Sequence, residues 1–202
     1  MKPNIRALQK IGLLCACTAM LCILQTRAAA MPLYTELTRL HVIANSDTAE
    51  DQALKLCVRD SVLEVVKPMT EGVSDAASVR KILDASRDKI QDAARLVVSE
   101  NGYSYPIKVS LESDYAFDRR DYDGFSLPAG KYTALRVEIG DAAGQNWWCV
   151  LFPPLCTAAS MEELEAAASA SELGKPAFRL MTDTGTAVEV RFWILDFLAK
   201  WF

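Results

Sequence analysis

The sequence predicts an α+β fold, in which a largely antiparallel sheet has helices packed on one face and is preceded by an N-terminal signal helix. Two stretches in the first half of the chain have apolar residues at helical spacing, whereas the stretches between residues 105 and 152 contain runs that alternate with a period of two. The predicted elements follow the order β-α-α-β-β-β-α, and such separate runs of helices and strands are typical of α+β architecture. With 202 residues, of which 51% are hydrophobic, the chain is long enough for one domain with its own core.

The N-terminus has the three zones of a secretion signal. Lys2, Arg6 and Lys10 are positively charged, residues 11–24 are apolar, and the alanines at 28–30 supply the small residues that a signal peptidase requires. The apolar run is short for a membrane-spanning helix, which needs about 20 residues, so a cleaved signal is favoured over an uncleaved anchor. We expect residues 1–30 to be a signal peptide or signal anchor and residues 31–202 to be a single exported domain, which contacts the membrane only through the N-terminal segment.

A strand and a long helix open the body. Residues 37–44 are rich in branched side chains and predict the strand. A helix that begins near Ala49 can be capped by Asp47 with Glu50 or by Thr48 with Asp51, and Pro68 should end it after Lys67. One face of this helix holds apolar and small residues at helical spacing, which indicates packing on a core. They are Leu54, Cys57, Val58, Ser61, Val62 and Val65.

The rest of the body is predicted from the same two periodicities. A second helix is expected from residue 74 or 78 to about residue 99, before the stop signal at 101–102. Strands are expected at 105–113, 131–140 and 145–152, the last two as antiparallel neighbours, with an irregular connection at 114–130. Near the C-terminus we expect a short helix at 160–173, a hairpin at 178–192 and a docking helix at 193–202.

Charge and cysteine content limit the partners and the covalent bonds of the body. Residues 1–30 hold four basic residues and no acid, so residues 31–202 carry a net charge of −8 against −4 for the whole chain. An acidic body argues against nucleic acid and anionic lipid as partners, because phosphates are bound by clustered Lys and Arg. Cys57, Cys149 and Cys156 remain in the body, so at most one internal disulfide can form. Cys149 and Cys156 could close a small loop, or they could be two buried thiols.

Catalytic and metal-binding patterns are absent from the sequence. His41 is the one histidine, so a Ser-His-Asp or Cys-His arrangement would need it, yet it lies in an apolar strand, where a structural role is more common. There is no His/Cys cluster for zinc and no glycine-rich phosphate loop, so we predict no metal and no cofactor. Asp47, Glu50 and Asp51 could hold calcium or act as acid and base, but helix capping already accounts for them.

Two long blocks of this sequence resemble the signatures of one family, stage II sporulation protein R. The first block is RLHVIANSDTAEDQALKLCVRDSVL at residues 39–63, and the second is LPAGKYTALRVEIG followed by GQNWWCVLFPPLC at residues 127–140 and 144–156. The resemblance implies a protein that is made in the forespore and exported into the space between the two membranes that separate forespore and mother cell. There it would activate a membrane-embedded aspartic protease, stage II sporulation protein GA, which removes the pro-sequence of sigma factor E. The resemblance therefore implies a signalling protein and not an enzyme.

Polar residues in the first block exceed what a strand and a helix cap require, which suggests a surface for a partner. Trp147 and Trp148 alternate on a strand, so one can lie in the core while the other anchors an interface, unless a helix covers that face too. The residues that we predict to contact the membrane-embedded aspartic protease of the sporulation septum are Arg39, His41, Asn45, Ser46, Asp47, Asp51, Gln52, Trp147 and Trp148. The competing hypothesis is a secreted cell-envelope hydrolase that uses His41 with Asp47 or Asp51, and it requires these side chains to converge in an open cleft.

Overall fold

A computed structural model describes residues 5–122, 124–155, 161–171, 173 and 175–182 of the chain, and its architecture is α+β with a mixed sheet. The elements of the described residues, in chain order, are α1 (Ile5–Glu36), β1 (Thr38–Ile43), α2 (Ala49–Thr70), α3 (Ala76–Ala85), α4 (Arg87–Glu100), β2 (Ile107–Phe117), β3 (Arg120–Tyr122), β4 (Phe125–Leu127), β5 (Gly130–Ile139), β6 (Asn146–Phe152), α5 (Met161–Ser169) and α6 (Lys175–Thr182).

Four strands form the main sheet in the order β2-β5-β1-β6. β1 runs parallel to β5 and antiparallel to β6, and β2 is antiparallel to β5. The prediction that β5 and β6 are neighbours is wrong, because β1 lies between them. The chain from β1 to β5 includes three helices, and this length allows the crossover that a parallel pair requires. Two of the three pairings are antiparallel, so the predicted sheet is correct in part.

The first face of the sheet is covered by α2, α3 and α4. Leu40 and Val42 of β1 and Val137 of β5 point to this face and are fully buried against the helices. The predicted stripe of α2 is confirmed at Leu54, Val58 and Val62, whereas Cys57 is exposed. α2 also continues past Lys67 and Pro68 to Thr70, three residues further than predicted. The helix ends soon after, since proline removes a backbone donor from the last turn.

The second predicted helix is two helices, α3 and α4, which meet at Ser86. This residue has φ −103° and ψ 7°, outside the α-helical region, and its N–H donates to the carbonyl oxygens of Ile82 and Leu83. The break lets the chain change direction while Leu83 and Ile90, on either side of it, stay fully buried. The predicted stop after α4 is confirmed, with Gly102 at φ +82°.

The second face of the sheet is covered as well, so the prediction of helices on one face is wrong. It has a core of its own, because Tyr132 of β5 and Val150 of β6 point to it from the sheet. The end of α1, α5, α6 and the β3–β4 hairpin supply the remaining buried residues, which include Leu33, Leu37, Phe125, Leu127, Ala168 and Met181.

Residues 114–130 are more regular than predicted. β2 continues to Phe117 through a bulge between Glu112 and Tyr115, where Asp114 has φ +59°, and β3 pairs with β4 as a separate two-stranded sheet. The bulge interrupts the alternation, so the sequence hides the continuation. The predicted hairpin at 178–192 is wrong at its start, since residues 178–182 lie in α6. The rest of that hairpin and the docking helix at 193–202 lie outside the described residues.

α1 runs without interruption across residue 30, where we placed the end of the signal. Its final turn belongs to the second core, in which Leu33 and Leu37 are fully buried. Among the residues that the structure describes, no helix combines the length and apolar character needed to cross a membrane. The signal and the division at residue 30 stay predictions.

Candidate partner-binding surface

His41 lies in the middle of the sheet on its second face, and 1% of its surface is exposed. The ring stacks on Trp148, with 3.7 Å between ring centroids, and is tilted against Tyr115 at 5.5 Å. Neither ring nitrogen makes a hydrogen bond of ordinary geometry within the described residues. Burial lowers the pKa of His41 to about 4, against a smaller opposing effect of the Asn146 side chain, so the ring is neutral at pH 7.

The carboxylates that the hydrolase hypothesis requires are engaged in a different part of the molecule. Asp51 Oδ2 accepts hydrogen bonds from Asn45 Nδ2 at 2.8 Å and from Ser46 Oγ at 2.5 Å. Asp47 Oδ1 accepts a backbone N–H of the loop between β5 and β6 at 2.6 Å. The contacts of His41 are aromatic rings. The predicted combination of His41 with Asp47 or Asp51 is therefore not assembled in an open cleft.

The polar residues after β1 fasten the β1–α2 loop to the β5–β6 loop. Asn45 Oδ1 accepts the N–H of Asp141 at 3.0 Å, and its carbonyl oxygen accepts the N–H of Ala143 at 3.1 Å. Gly144 is needed at the crossing, because a Cβ there would lie 2.2 Å from the carbonyl oxygen of Ser46. Four of the predicted partner-binding residues, at positions 45, 46, 47 and 51, thus have internal partners.

α2 is held to the same two loops by its first turns. Gln52 Nε2 donates to the carbonyl oxygen of Ser46 at 2.9 Å, and Lys55 Nζ donates to Gln52 Oε1 and to the carbonyl oxygen of Gln145. Hydrogen bonds from Ser46 and Asn45 lower the pKa of Asp51, a buried side chain with 4% exposure. The cap itself is the Thr48 hydroxyl, which accepts the N–H of Asp51.

Arg39 is the largest fully buried side chain of the protein's described part. Its guanidinium lies over the ring of Phe117 at 3.9 Å and near that of Tyr132 at 5.1 Å. Nη2 donates to the hydroxyl of Tyr122 in the β3–β4 hairpin at 2.8 Å, whereas Nε and Nη1 have no partner among the described residues. Burial lowers the pKa of Arg39, an effect that the Tyr122 hydroxyl opposes. In this conformation Arg39 is part of the second core and is not exposed to a partner.

Trp147 and Trp148 point to opposite faces, as the alternation predicts, and each is half-buried. Trp147 packs against the first core, with the guanidinium of Arg59 over its ring at 4.3 Å. Trp148 packs against the second core beside Phe117, and the guanidinium of Arg120 lies 5.6 Å from its ring. Both faces are thus covered in part, and each tryptophan keeps some exposed area.

A row of charged residues on the second face was not among the predicted site residues. Arg136 Nη1 is 2.6 Å from Glu112 and Nη2 is 2.9 Å from Glu138, which in turn pairs with Lys108. These residues occupy alternate positions of β2 and β5, so the period of two contained the signal. The sequence does not show that His41 pairs with Arg136 across β1 and β5. This pairing places the charged row beside the aromatic rings around His41.

Cys149 is disulfide-bonded, whereas Cys57 is a free and exposed thiol. Cys156 lies outside the described residues, so its pairing with Cys149 stays a prediction. In the described ranges, no group of three or more His, Cys, Asp or Glu side chains could hold a metal ion.

Comparisons with known proteins give one consistent result. The family model described as stage II sporulation protein R (spore_II_R) matches residues 34–162. The chain is 33% identical over 118 residues to stage II sporulation protein R of Bacillus subtilis (strain 168), and this alignment covers 58% of the chain and 52% of the relative. The chain thus spans about half the length of the curated relative that it matches. No solved structure matches the chain.

Proposed function

We propose a function for this chain from one premise: it belongs to the stage II sporulation protein R family, whose model covers well over half of its length. A role in sporulation follows from that membership. The finer proposal is that the protein is exported from the forespore into the intermembrane space. There it activates the membrane-embedded aspartic protease, stage II sporulation protein GA, so that pro-sigma factor E is processed.

The observation that best supports a role as messenger is the state of His41. An imidazole that is neutral down to about pH 4, stacked on a ring and without a carboxylate contact among the described residues, is poorly placed to accept a proton from a nucleophile. The acids proposed as its partners instead hold two loops together. We therefore propose that the protein acts by contact with its partner and not by catalysis.

The partner-facing surface is proposed to lie on the second face and at the loops beside it. Asp47 and Glu50 are exposed at the start of α2, and Trp148 is half-exposed next to the charged row. Asn45, Ser46 and Asp51 contribute indirectly, because they hold the loop in one conformation. A pre-formed surface of this kind loses little conformational entropy on binding.

The proposal is tested by an immunoblot for processed sigma factor E during sporulation. A deletion strain should accumulate only the precursor, and the full-length chain should restore processing. Loss of spores with normal processing would contradict the proposed function and would indicate a passive envelope component. Turnover of an envelope substrate by the purified chain, abolished by His41→Phe, would favour the hydrolase instead.

The contribution of the loops is tested by charge reversal. Glu50→Lys changes an exposed acid of α2 without breaking a described hydrogen bond, and Asp88→Lys is a matched exposed acid in the first turn of α4. We expect Glu50→Lys to reduce processing and Asp88→Lys to leave it unchanged, with normal levels of both proteins. Equal processing by the two variants would place the contact elsewhere.

A further inference from the structure

Two guanidinium groups lie over adjoining aromatic rings on the second face of the sheet. Arg39 is 3.9 Å from the ring centroid of Phe117, and Arg120 is 5.6 Å from that of Trp148. The two rings meet edge to face with 4.9 Å between centroids. Residues from β1, β2, β3 and β6 thus bring two positive charges to adjoining rings of the second face.

No carboxylate among the described residues neutralises these two charges. Arg39 makes one hydrogen bond, to the neutral hydroxyl of Tyr122, and the Nε and Nη1 atoms of this fully buried side chain remain unpaired. The acid of β3, Asp121, pairs with Arg119 instead. Buried cations are ordinarily paired with an anion, and like charges that are neighbours repel each other. The arrangement is that of an anion site whose anion comes from outside the described chain.

We propose that Arg39 and Arg120 bind a carboxylate of the protein partner, carried by an acidic residue with an apolar neighbour. This inference rests on the proposed function as a partner-binding messenger. A planar guanidinium holds a carboxylate in two parallel hydrogen bonds, from Nη2 together with either Nε or Nη1. In Arg39 the Nε and Nη1 atoms are unpaired and Nη2 donates to Tyr122, so a bidentate carboxylate takes the place of the Tyr122 hydroxyl. The rings of Phe117 and Trp148 offer an apolar surface beside the charge for the neighbouring side chain.

A peptide carboxylate fits this site better than a phosphate-rich surface does. Residues 31–202 carry a net charge of −8, which repels an anionic membrane as a whole. Two guanidinium groups in an aromatic surrounding match a single acidic side chain and not a wide polyanion. The observations therefore favour an acidic segment of a protein.

The β3–β4 hairpin controls access to Arg39. Its strands have three residues each and pair only with one another, not with the main sheet. Because the hairpin has no backbone pairing with the main sheet, its opening breaks no hydrogen bond of that sheet. Opening does expose Phe125 and Leu127, which are buried in the second core, so the partner's contacts have to offset this cost. The Tyr122 hydroxyl occupies one N–H of the guanidinium in the closed form. Entry of the partner's carboxylate replaces this neutral acceptor with a charged one.

The site is tested by NMR titration of the full chain with sodium acetate, the simplest carboxylate. The Arg39 Nε–H resonance should shift in a saturable manner with acetate, and should not respond to acetamide or to sodium chloride at equal ionic strength. Arg120→Gln should weaken acetate binding by about tenfold. The matched control Arg119→Gln, whose charge is paired with Asp121, should change it by less than about twofold.

Three results would overturn the inference: no saturable shift, equal weakening by the two variants, or tighter binding of inorganic phosphate than of acetate. The same variants also separate this inference from the proposed function. If the deletion strain blocks processing of sigma factor E but Arg120→Gln and Arg119→Gln both process normally, the carboxylate site fails and the messenger function stands. If the deletion strain processes normally, the proposed function itself fails. Reduced processing with Arg120→Gln alone supports both.

Discussion

Acidification from pH 7 to pH 5 should destabilise this protein through one residue, His41. Its pKa is about 4 in the folded chain and 6.5 when unperturbed. Between these values the unfolded chain binds a proton that the folded chain does not bind, so the free energy of unfolding falls as the pH falls. The difference between the two pKa values corresponds to about 3 kcal/mol in the free energy of unfolding, of which about 2 kcal/mol is lost between about pH 7 and pH 5. Below about pH 4 this contribution no longer changes.

The prediction is measured by urea unfolding of the full chain at both pH values, with the slopes compared so that a change of midpoint reports stability. His41→Phe is the matched variant, because phenylalanine keeps a ring on Trp148 and does not titrate. His41 is the one histidine in the sequence, so the variant should have nearly the same stability at pH 7 and pH 5. An NMR titration of the ring protons gives the pKa independently.

Two outcomes would refute the reasoning. Equal stability of the unmodified chain at pH 7 and pH 5 would mean that the imidazole is accessible to protons in the folded state. An undiminished loss of stability in the His41→Phe variant would assign the proton uptake to another group. A measured pKa near 6.5 would also remove the argument that His41 is unsuited to catalysis.

Three further predictions concern the loops that support the candidate surface and the state of the cysteines. Asp51→Asn should lower the free energy of unfolding by about 2 kcal/mol in a urea experiment, because its two donors then face a neutral amide in place of a buried carboxylate. The exposed Glu50→Gln should change the free energy of unfolding by less than about 0.5 kcal/mol. Gly144→Ala should cost about 2 kcal/mol or more in thermal and urea unfolding, since the new Cβ would meet a backbone oxygen at 2.2 Å, and an unchanged midpoint would contradict the loop contact. Alkylation without reductant, read by mass spectrometry, should label Cys57 and not Cys149, and labelling of both would exclude the disulfide.

The sequence predicted local elements well because local spacing determines them. The stripe through Leu54, Val58 and Val62 and the alternation of β5 needed no knowledge of distant residues. The pairing of strands did need it: β5 and β6 follow each other in the chain, yet β1 lies between them. The cover on the second face was missed for the same reason, since the last turn of α1 and α6 reach it from opposite ends of the chain.

The partner-binding residues were harder to predict than the elements, because the sequence does not show whether a polar side chain binds another part of the chain or a separate protein. Asn45, Ser46 and Asp51 exceed the needs of a cap, as the sequence indicated, but their excess polarity serves the contact between two loops. Positions that are 96 residues apart in the chain, Asn45 and Asp141, meet through the topology of the sheet. Only the folded chain shows that these groups have internal partners.

Three of the predicted partner-binding residues nevertheless share one feature. Arg39 and His41 of β1 and Trp148 of β6 all lie on the second face of the sheet. Asp47 and Asp51, by contrast, lie in the loop and first turn beyond the end of β1. A partner that reached Arg39 would have to move the β3–β4 hairpin and would then contact Arg120 and Trp148 together. Binding would therefore favour an open hairpin by the difference in its affinity for the two conformations, which would give the proposed messenger a physical means of recognising one partner.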